Sequence, residues 1–273
     1  MSTKILYHDK CPDGFTAAWA AWRRFGDSAE YIPVSYGYTP YEGTTDQDDV
    51  YLLDFCYPAD VLRTLPARKL VILDHHKTAQ ADLELFKGKP EDEVIFDMER
   101  SGAGIAWDYF HMEPRPEIIN YAEDHDLWRY KLRASREIRA LFMATPYTFL
   151  DWSGLQALLF HDWDAAVDQG EVVMGFMEQQ VKMIVDKSYF QSIGGVDVPV
   201  VNATTLYSEV GEALYKKYPE YPFVGYWFRR ADSKIHWGLR TARPDVDVSE
   251  VAKKYGGGGH KAAAGFVTED YNV

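Results

Sequence analysis

Val71-Ile72-Leu73-Asp74-His75-His76 sets three polar, metal-competent side chains directly behind a short apolar run. A run of that length and composition reads as a buried strand. Residues just beyond the carboxyl end of a parallel strand line the crevice where open α/β sheets bind ligands, so Asp74, His75 and His76 stand where such a fold places its chemistry. A histidine pair after a strand also reads as a hydrogen-bonded turn. The rest of the chain has to separate the two readings.

The same arrangement occurs twice upstream. Residues 4–7 form a short apolar strand, followed by His8-Asp9-Lys10-Cys11-Pro12-Asp13-Gly14 and an Ala- and Trp-rich helix over residues 15–25. Residues 50–53 form a second strand ending in Asp54, with a helix over 59–65 leading into the strand at 70–73. Strands alternating with helices at this spacing predict a parallel sheet with right-handed crossovers, which brings the polar loops to one sheet edge. His8, Asp13, Asp54, His75 and His76 are then expected to converge. Their mixture of imidazoles and carboxylates suits Mn2+, Co2+, Fe2+ or Zn2+ better than Mg2+ or Ca2+, which prefer all-oxygen shells. Several such side chains on one edge suggest a pair of ions; ions about 3.5–4 Å apart can hold a bridging hydroxide and polarise a phosphoryl group. The competing reading is a buried polar network without metal.

Further along, residues 94–96 read as a strand, Ser101-Gly102-Ala103-Gly104 opens a helix to about residue 110, and a helix beginning near 116 runs into Glu123-Asp124-His125-Asp126-Leu127-Trp128. Residues 135–187 read as almost entirely helical, with a break at Asp162-Trp163-Asp164. Beyond them the pattern changes to strands at 196–201, 223–228 and 235–239, the last two joined by a hairpin through Arg230-Ala231-Asp232-Ser233, and a helix over 206–218. Asp247 and Glu250 read as a capping box for a helix over 248–255 that Gly256 closes. The expected organisation is α/β throughout: an N-terminal parallel-sheet domain over 1–150, a helical connector over 151–190 and a smaller α/β domain over 191–273.

Gly256-Gly257-Gly258-Gly259-His260-Lys261 is the second informative stretch. Successive glycines let backbone amides approach an anion, and residues 262–264 read as the start of a short helix whose amino end favours negative charge. Arg240, at a strand end, offers a bidentate phosphate contact. A flexible linker and a solvated arginine are the plainer alternatives.

With 273 residues and 47% hydrophobic content, the chain can bury two cores. No apolar run is long enough to span a bilayer, and the first residues lack a signal-peptide layout, so a cytoplasmic protein without membrane contact is expected. The two cysteines, Cys11 and Cys56, make no disulfide scaffold or CxxC pair and read as packed, reduced thiols. A net charge of −13 argues against long duplex nucleic acid as a ligand. Carboxylates gathered to hold cations count toward that number, so a small anionic substrate stays compatible with it.

Asp74-His75-His76, together with Gly257-Gly258-Gly259-His260 and Ala263-Ala264-Gly265-Phe266, resembles the DHH phosphoesterase superfamily with its DHH-associated C-terminal domain. The resemblance spans both domains. It implies an oligoribonuclease-like, manganese-dependent phosphodiesterase acting on short oligonucleotides or small nucleotide phosphoesters in a cleft between the domains. By the same resemblance, His8 and Asp13 match the first-motif ligands, Asp54 the carboxylate bridging two ions, His75 the third-motif ligand, and His76 the residue that meets the scissile phosphate. Asp126 matches the fourth-motif ligand, with Asp124 as the competing register. His260, Gly257, Gly258, Gly259 and Arg240 match the part that grips the nucleotide. Many members carry two aspartates one residue apart in the first motif. Here Cys11 lies two before Asp13 and Phe15 two after it, so Asp9 compensates, Asp13 serves both ions, or one ion is weakly held.

The resulting expectation is a phosphodiesterase in which a metal-bound hydroxide attacks phosphorus, Asp54 bridges the ions, and His76, His260 and Arg240 hold phosphate oxygens. Its substrate is a short RNA or DNA oligonucleotide cut to mononucleotides, with Tyr36, Tyr38 and Trp237 as candidate base-stacking side chains. A homodimer is compatible with the sequence. The alternatives are hydrolysis of cyclic nucleotides, cyclic dinucleotides or mononucleotide phosphates, and, from a different class, a nucleotide-binding sensor that has lost hydrolysis.

Overall fold

The computed structural model describes residues 2–35 and 40–271. Two of the expected stacking aromatics, Tyr36 and Tyr38, lie outside the described residues. The chain folds as two compact units, Met1–Met174 and Gly175–Val273.

In the first unit, strands β1 (Thr3–His8), β2 (Ala29–Val34), β3 (Asp49–Leu53), β4 (Lys69–Asp74) and β5 (Glu93–Phe96) form one sheet in the order β2-β1-β3-β4-β5. Every neighbouring pair is parallel. β3 and β4 carry apolar side chains on both faces, as strands covered on both sides must. Their period-two alternation feeds two cores. Ile5, Tyr51, Leu53, Val71 and Leu73 pack with Trp19, Trp107 and Trp152, whereas Leu6, Val50, Leu52 and Ile72 pack with Phe55 and Leu62.

The helices of this unit are α1 (Pro12–Phe25), α2 (Ala59–Thr64), α3 (Lys77–Leu85), α4 (Gly102–Phe110), α5 (Glu117–Asp126), α6 (Ser135–Ala144) and α7 (Phe149–His161). α1 starts at Pro12, three residues earlier than expected, because proline fits the first helical position and needs no amide partner there. The stretch read as nearly continuous helix breaks at Pro146 as well as Asp162, and Thr148 restarts it by accepting a hydrogen bond from the Asp151 amide at 3.1 Å. α7 is tied to α1 twice: Trp152 Nε1 donates to Thr16 Oγ1, and Trp19 Nε1 donates to Ser153 Oγ, both at 3.0 Å. A single long helix, α8 (Trp163–Val185), carries the boundary between the units.

The second unit holds β6 (Tyr189–Ile193), β7 (Val196–Asn202), α9 (Tyr207–Lys217), β8 (Val224–Arg229), β9 (Ile235–Arg240), α10 (Val248–Lys253), β10 (Gly258–His260) and β11 (Ala263–Thr268). Its sheet runs β10-β11-β9-β8-β7-β6, antiparallel except between β7 and β8.

Four sequence expectations are corrected here. Residues 262–264 do not open a helix; Ala263 and Ala264 pair with Arg240 and Leu239 as strand, since neighbouring backbone ladders outweigh alanine's helical preference. The helix over 248–255 ends at Lys253. Its cap is half of the expected box: Asp247 accepts from the Ser249 amide at 2.9 Å, but Glu250 pairs forward with Lys253 at 2.6 Å. Trp237 is 0% exposed within the core of the second sheet, which removes it as a base-stacking surface. Among the described residues, no helix is long and apolar enough to cross a membrane.

Candidate metal centre

The carboxyl ends of β1, β3 and β4 and the last turn of α5 deliver six side chains to one place. His8 ends β1, Asp13 lies in the first turn of α1, Asp54 follows β3, His75 and His76 follow β4, and Asp126 ends α5. Asp54 is central. Its Oδ1 lies 3.1 Å from His75 Nε2, and its Oδ2 lies 3.3 Å from His8 Nδ1. His75 Nε2 is also 3.4 Å from Asp126 Oδ2 and 3.8 Å from Asp13 Oδ2. Two groups of donor atoms result, His8 with Asp54 and His76, and Asp13 with His75 and Asp126, each within 4.8 Å of one another.

Local backbone chemistry explains why these side chains meet. Asp54 leaves β3 with φ +61°, a left-handed conformation that aspartate tolerates better than most residues, and its amide donates to the Leu73 carbonyl at 3.0 Å. Glycines make the room. A Cβ on Gly102 would sit 2.5 Å from the Asp54 Cβ, and one on Gly14 would sit 2.4 Å from the His8 carbonyl and 3.1 Å from Asp54 Oδ2. Asp13 caps α4: its carboxylate accepts from the Gly102 amide at 2.6 Å and the Ala103 amide at 3.1 Å. Asp74 points its Oδ1 back at the turn, taking the His75 amide at 2.7 Å and His76 Nδ1 at 2.8 Å, and so orients the second histidine.

The electrostatics suit a bound cation. Burial, then the Asp54 and Asp126 charges, push the Asp13 carboxyl well above the usual range. Burial and Asp54 push Asp126 up to about 6. Asp54 is held low, its burial outweighed by hydrogen bonds from His75 and His8. Burial opposes protonation of His76, yet the Asp74 hydrogen bond and the surrounding carboxylates raise it to about 9. Three carboxylates share a buried space with histidines as their ion-pair partners. A divalent cation would relieve that repulsion, and the nitrogen and oxygen donors fit one.

The first-motif departure has a clear structural form. Phe15 is 3% exposed and its ring stacks on Tyr147 at 5.2 Å and Phe149 at 5.3 Å, so it belongs to the aromatic core. Burial, then the charges of Asp54, Asp13 and Asp126, push the Cys11 thiol well up. Asp9 accepts from Ser35 Oγ at 3.1 Å and joins neither donor group. Asp124 takes the amides of Lys131 and Leu132 and the Ser135 hydroxyl, at 2.9, 3.3 and 2.6 Å, while Asp126 faces His75.

The remaining expected residues lie in the second unit. Arg240 pairs with Ala263 and Ala263 with His260, so Arg240 and His260 occupy one lateral row across β9, β11 and β10. The Arg240 guanidinium lies 5.5 Å from the Tyr226 ring centre. Gly257, Gly258 and Gly259 run into and along β10; a Cβ on Gly257 would lie 2.1 Å from the Gly265 carbonyl, which explains that glycine by close strand approach. No helix amino end stands at this stretch, because β11 follows it.

Sequence reading missed Gly14 and Gly102 as the space for Asp54, and Glu123 as a brace. Glu123 Oε2 accepts from the Ser101 amide and Arg115 Nη1, both at 3.1 Å, and Oε1 accepts from Arg129 Nη1 at 3.1 Å. Glu123 stands one helical turn before Asp126, and that i, i+3 spacing was the available signal.

No family model matches the chain. It is 28% identical to the uncharacterised protein R106 of Acanthamoeba polyphaga mimivirus over 96% of its own length. It is 25% identical to the oligoribonuclease NrnB of Bacillus subtilis over 74% of its length. The chain spans 66% and 53% of the lengths of these two relatives. Among solved structures, it shares its fold with the pGpG-specific phosphodiesterase PggH of Vibrio cholerae, with TM-score 0.54, 15% identity and coverage of 98% of this chain and 93% of that one. It shares it also with RecJ of Thermus thermophilus in complex with Mn2+, with TM-score 0.52, 16% identity and coverage of 98% and 49%. The Asp-His-His turn at the end of β4 and the parallel sheet that presents it agree with the resemblance to the DHH phosphoesterase superfamily, and the fold is the one shared with these solved structures.

Proposed function

We propose that the protein is a cytoplasmic, manganese-dependent phosphodiesterase that hydrolyses short oligonucleotides to mononucleotides. The observation that carries this reading is the pair of nitrogen- and oxygen-donor groups meeting at Asp54. His8, Asp13, Asp54, His75 and Asp126 would hold one or two divalent cations, with Asp54 able to serve both donor groups through its two oxygens. Bound there, the cations supply Lewis acidity toward a phosphoryl oxygen and a water of lowered pKa. His76, whose Nδ1 is held by Asp74 at 2.8 Å, is proposed to meet a substrate phosphate. Arg240, His260 and the glycines 257–259 are proposed to bind the nucleotide.

Similarity to an oligoribonuclease supports short nucleic-acid substrates, and a net charge of −13 disfavours a wide polyanion-binding face. The test is a turnover panel with Mn2+ that compares a dinucleotide, a five-unit oligomer, a cyclic dinucleotide and a cyclic mononucleotide. Preference for the linear oligomers supports the reading. Preference for cyclic substrates replaces it, and binding without turnover, unchanged in His75→Ala, points to a sensor.

A further inference from the structure

We infer that Trp128 is a nucleobase-stacking platform beside the metal centre, a role that rests on the nucleotide-phosphodiesterase reading and narrows it to substrates that carry a base next to the scissile phosphate. Trp128 follows Asp126 by two residues, so the two Cα atoms are at most about 7 Å apart. Asp126 in turn lies 3.4 Å from His75. The indole is 58% exposed, an unusual fate for the largest apolar side chain in a unit that buries Trp19 and Trp152 completely.

The turn that presents it is strained and held on purpose. Trp128 and Tyr130 have φ +52° and +46°, left-handed values that cost a bulky residue on the order of 1–3 kcal/mol each. Asp124 compensates that cost. Its carbonyl accepts from the Arg129 amide at 2.9 Å and the Tyr130 amide at 3.3 Å, while its carboxylate holds Lys131, Leu132 and Ser135. Arg129 pins the same turn from the other side, through Glu123 and the Glu99 carbonyl at 2.5 Å. Tyr130 supports the indole edge-on, at 5.6 Å between centroids and 75° between planes, and the Arg136 guanidinium lies 5.2 Å from the Tyr130 ring centre.

An exposed aromatic face two residues along the chain from a proposed metal ligand suits a purine or pyrimidine ring. It reads the base without hydrogen bonds, so it gives affinity with little sequence preference. Base stacking on an aromatic side chain contributes about 1–3 kcal/mol, which is about 5- to 150-fold in affinity.

The test compares KM for a diadenylate and for the same diester with an abasic sugar in place of the base. The wild type is expected to prefer the diadenylate by about 5- to 150-fold, Trp128→Phe to keep most of that preference, and Trp128→Ala to erase it. A Trp128→Ala enzyme that discriminates as well as the wild type overturns the inference. If the wild type turns over neither diester, the phosphodiesterase reading fails, and stacking is then decided by adenosine monophosphate and tryptophan fluorescence. Quenching present in the wild type and missing in Trp128→Phe upholds the platform; equal quenching in both rejects it. The same measurement decides the matter if Trp128→Ala does not fold.

Discussion

The carboxylate of Asp13 and the amide of Gly102 meet at 2.6 Å across 89 positions of sequence. A candidate metal ligand is therefore also the cap of a helix, and metal binding and α4 stability share one side chain.

Asp13→Asn should leave the metal-free protein at least as stable as the wild type, since burial and the Asp54 and Asp126 charges disfavour the Asp13 carboxylate while an asparagine oxygen still accepts from the Gly102 and Ala103 amides. Urea unfolding in the presence of a chelator measures this. A metal-free Asp13→Asn protein less stable than the metal-free wild type would mean that the charge on the cap outweighs the repulsion from Asp54 and Asp126.

Gly102→Ala should remove activity while leaving the fold. The added methyl would lie 2.7 Å from Asp54 Oδ1, so the carboxylate between the two donor groups must move; overpacking of this kind costs about 1–3 kcal/mol. Phosphodiesterase assays beside circular dichroism check it, and normal turnover would show that Asp54 has slack.

Divalent cation should raise stability by mass action. Mn2+ at a hundred times its dissociation constant adds about 2.7 kcal/mol, and Asp54→Ala should abolish the thermal shift. A shift of equal size in Asp54→Ala would locate the cation elsewhere.

His125 makes stability depend on pH. It is 8% exposed, and burial, assisted by the Arg139 charge, lowers it from 6.5 to about 4. Between those values the unfolded chain takes the proton and the folded one does not. Stability is therefore undiminished above pH 6.5 and falls as pH drops, by about 3 kcal/mol on reaching pH 4. His125→Gln should flatten that part of the pH profile of unfolding free energy, and a slope as steep in the variant as in the wild type would assign the acid sensitivity to other groups.

Phe15→Ala should cost about 3–5 kcal/mol, as expected for a buried aromatic ring. A chemical melt decides it. A cost below 1 kcal/mol would mean that the aromatic cluster closes over the gap.

The parallel sheet and its loaded edge were legible because residues 50–53 and 70–73 are apolar runs bounded by Asp54 and Asp74, with helical segments between the strands. β2 was not legible: it is an edge strand with Pro33 inside it, tolerated only where a missing amide disturbs no neighbour. β11 reads as helix from its alanines because intrinsic preference is local, whereas its pairing with β9 is a tertiary fact. The doubled acids at 124 and 126 left two registers open. The distinction between them comes from the turn after α5, whose left-handed residues leave no mark in composition. The cap between Asp13 and α4 was equally silent, as nothing local ties residue 13 to residue 102.

The strand order has a consequence for biosynthesis. β1, made before both of its neighbours, lies between β2 and β3, so it cannot complete its ladder until residue 53 has followed. Asp126 arrives later still. A nascent chain thus carries His8 and Asp13 for more than a hundred residues of synthesis before the last proposed ligand exists, and parallel pairing of this kind is slow to form and exposed to misassembly meanwhile. Cation capture would then come as the closing event of folding for this half of the molecule, a lock applied only when the whole sheet is in place.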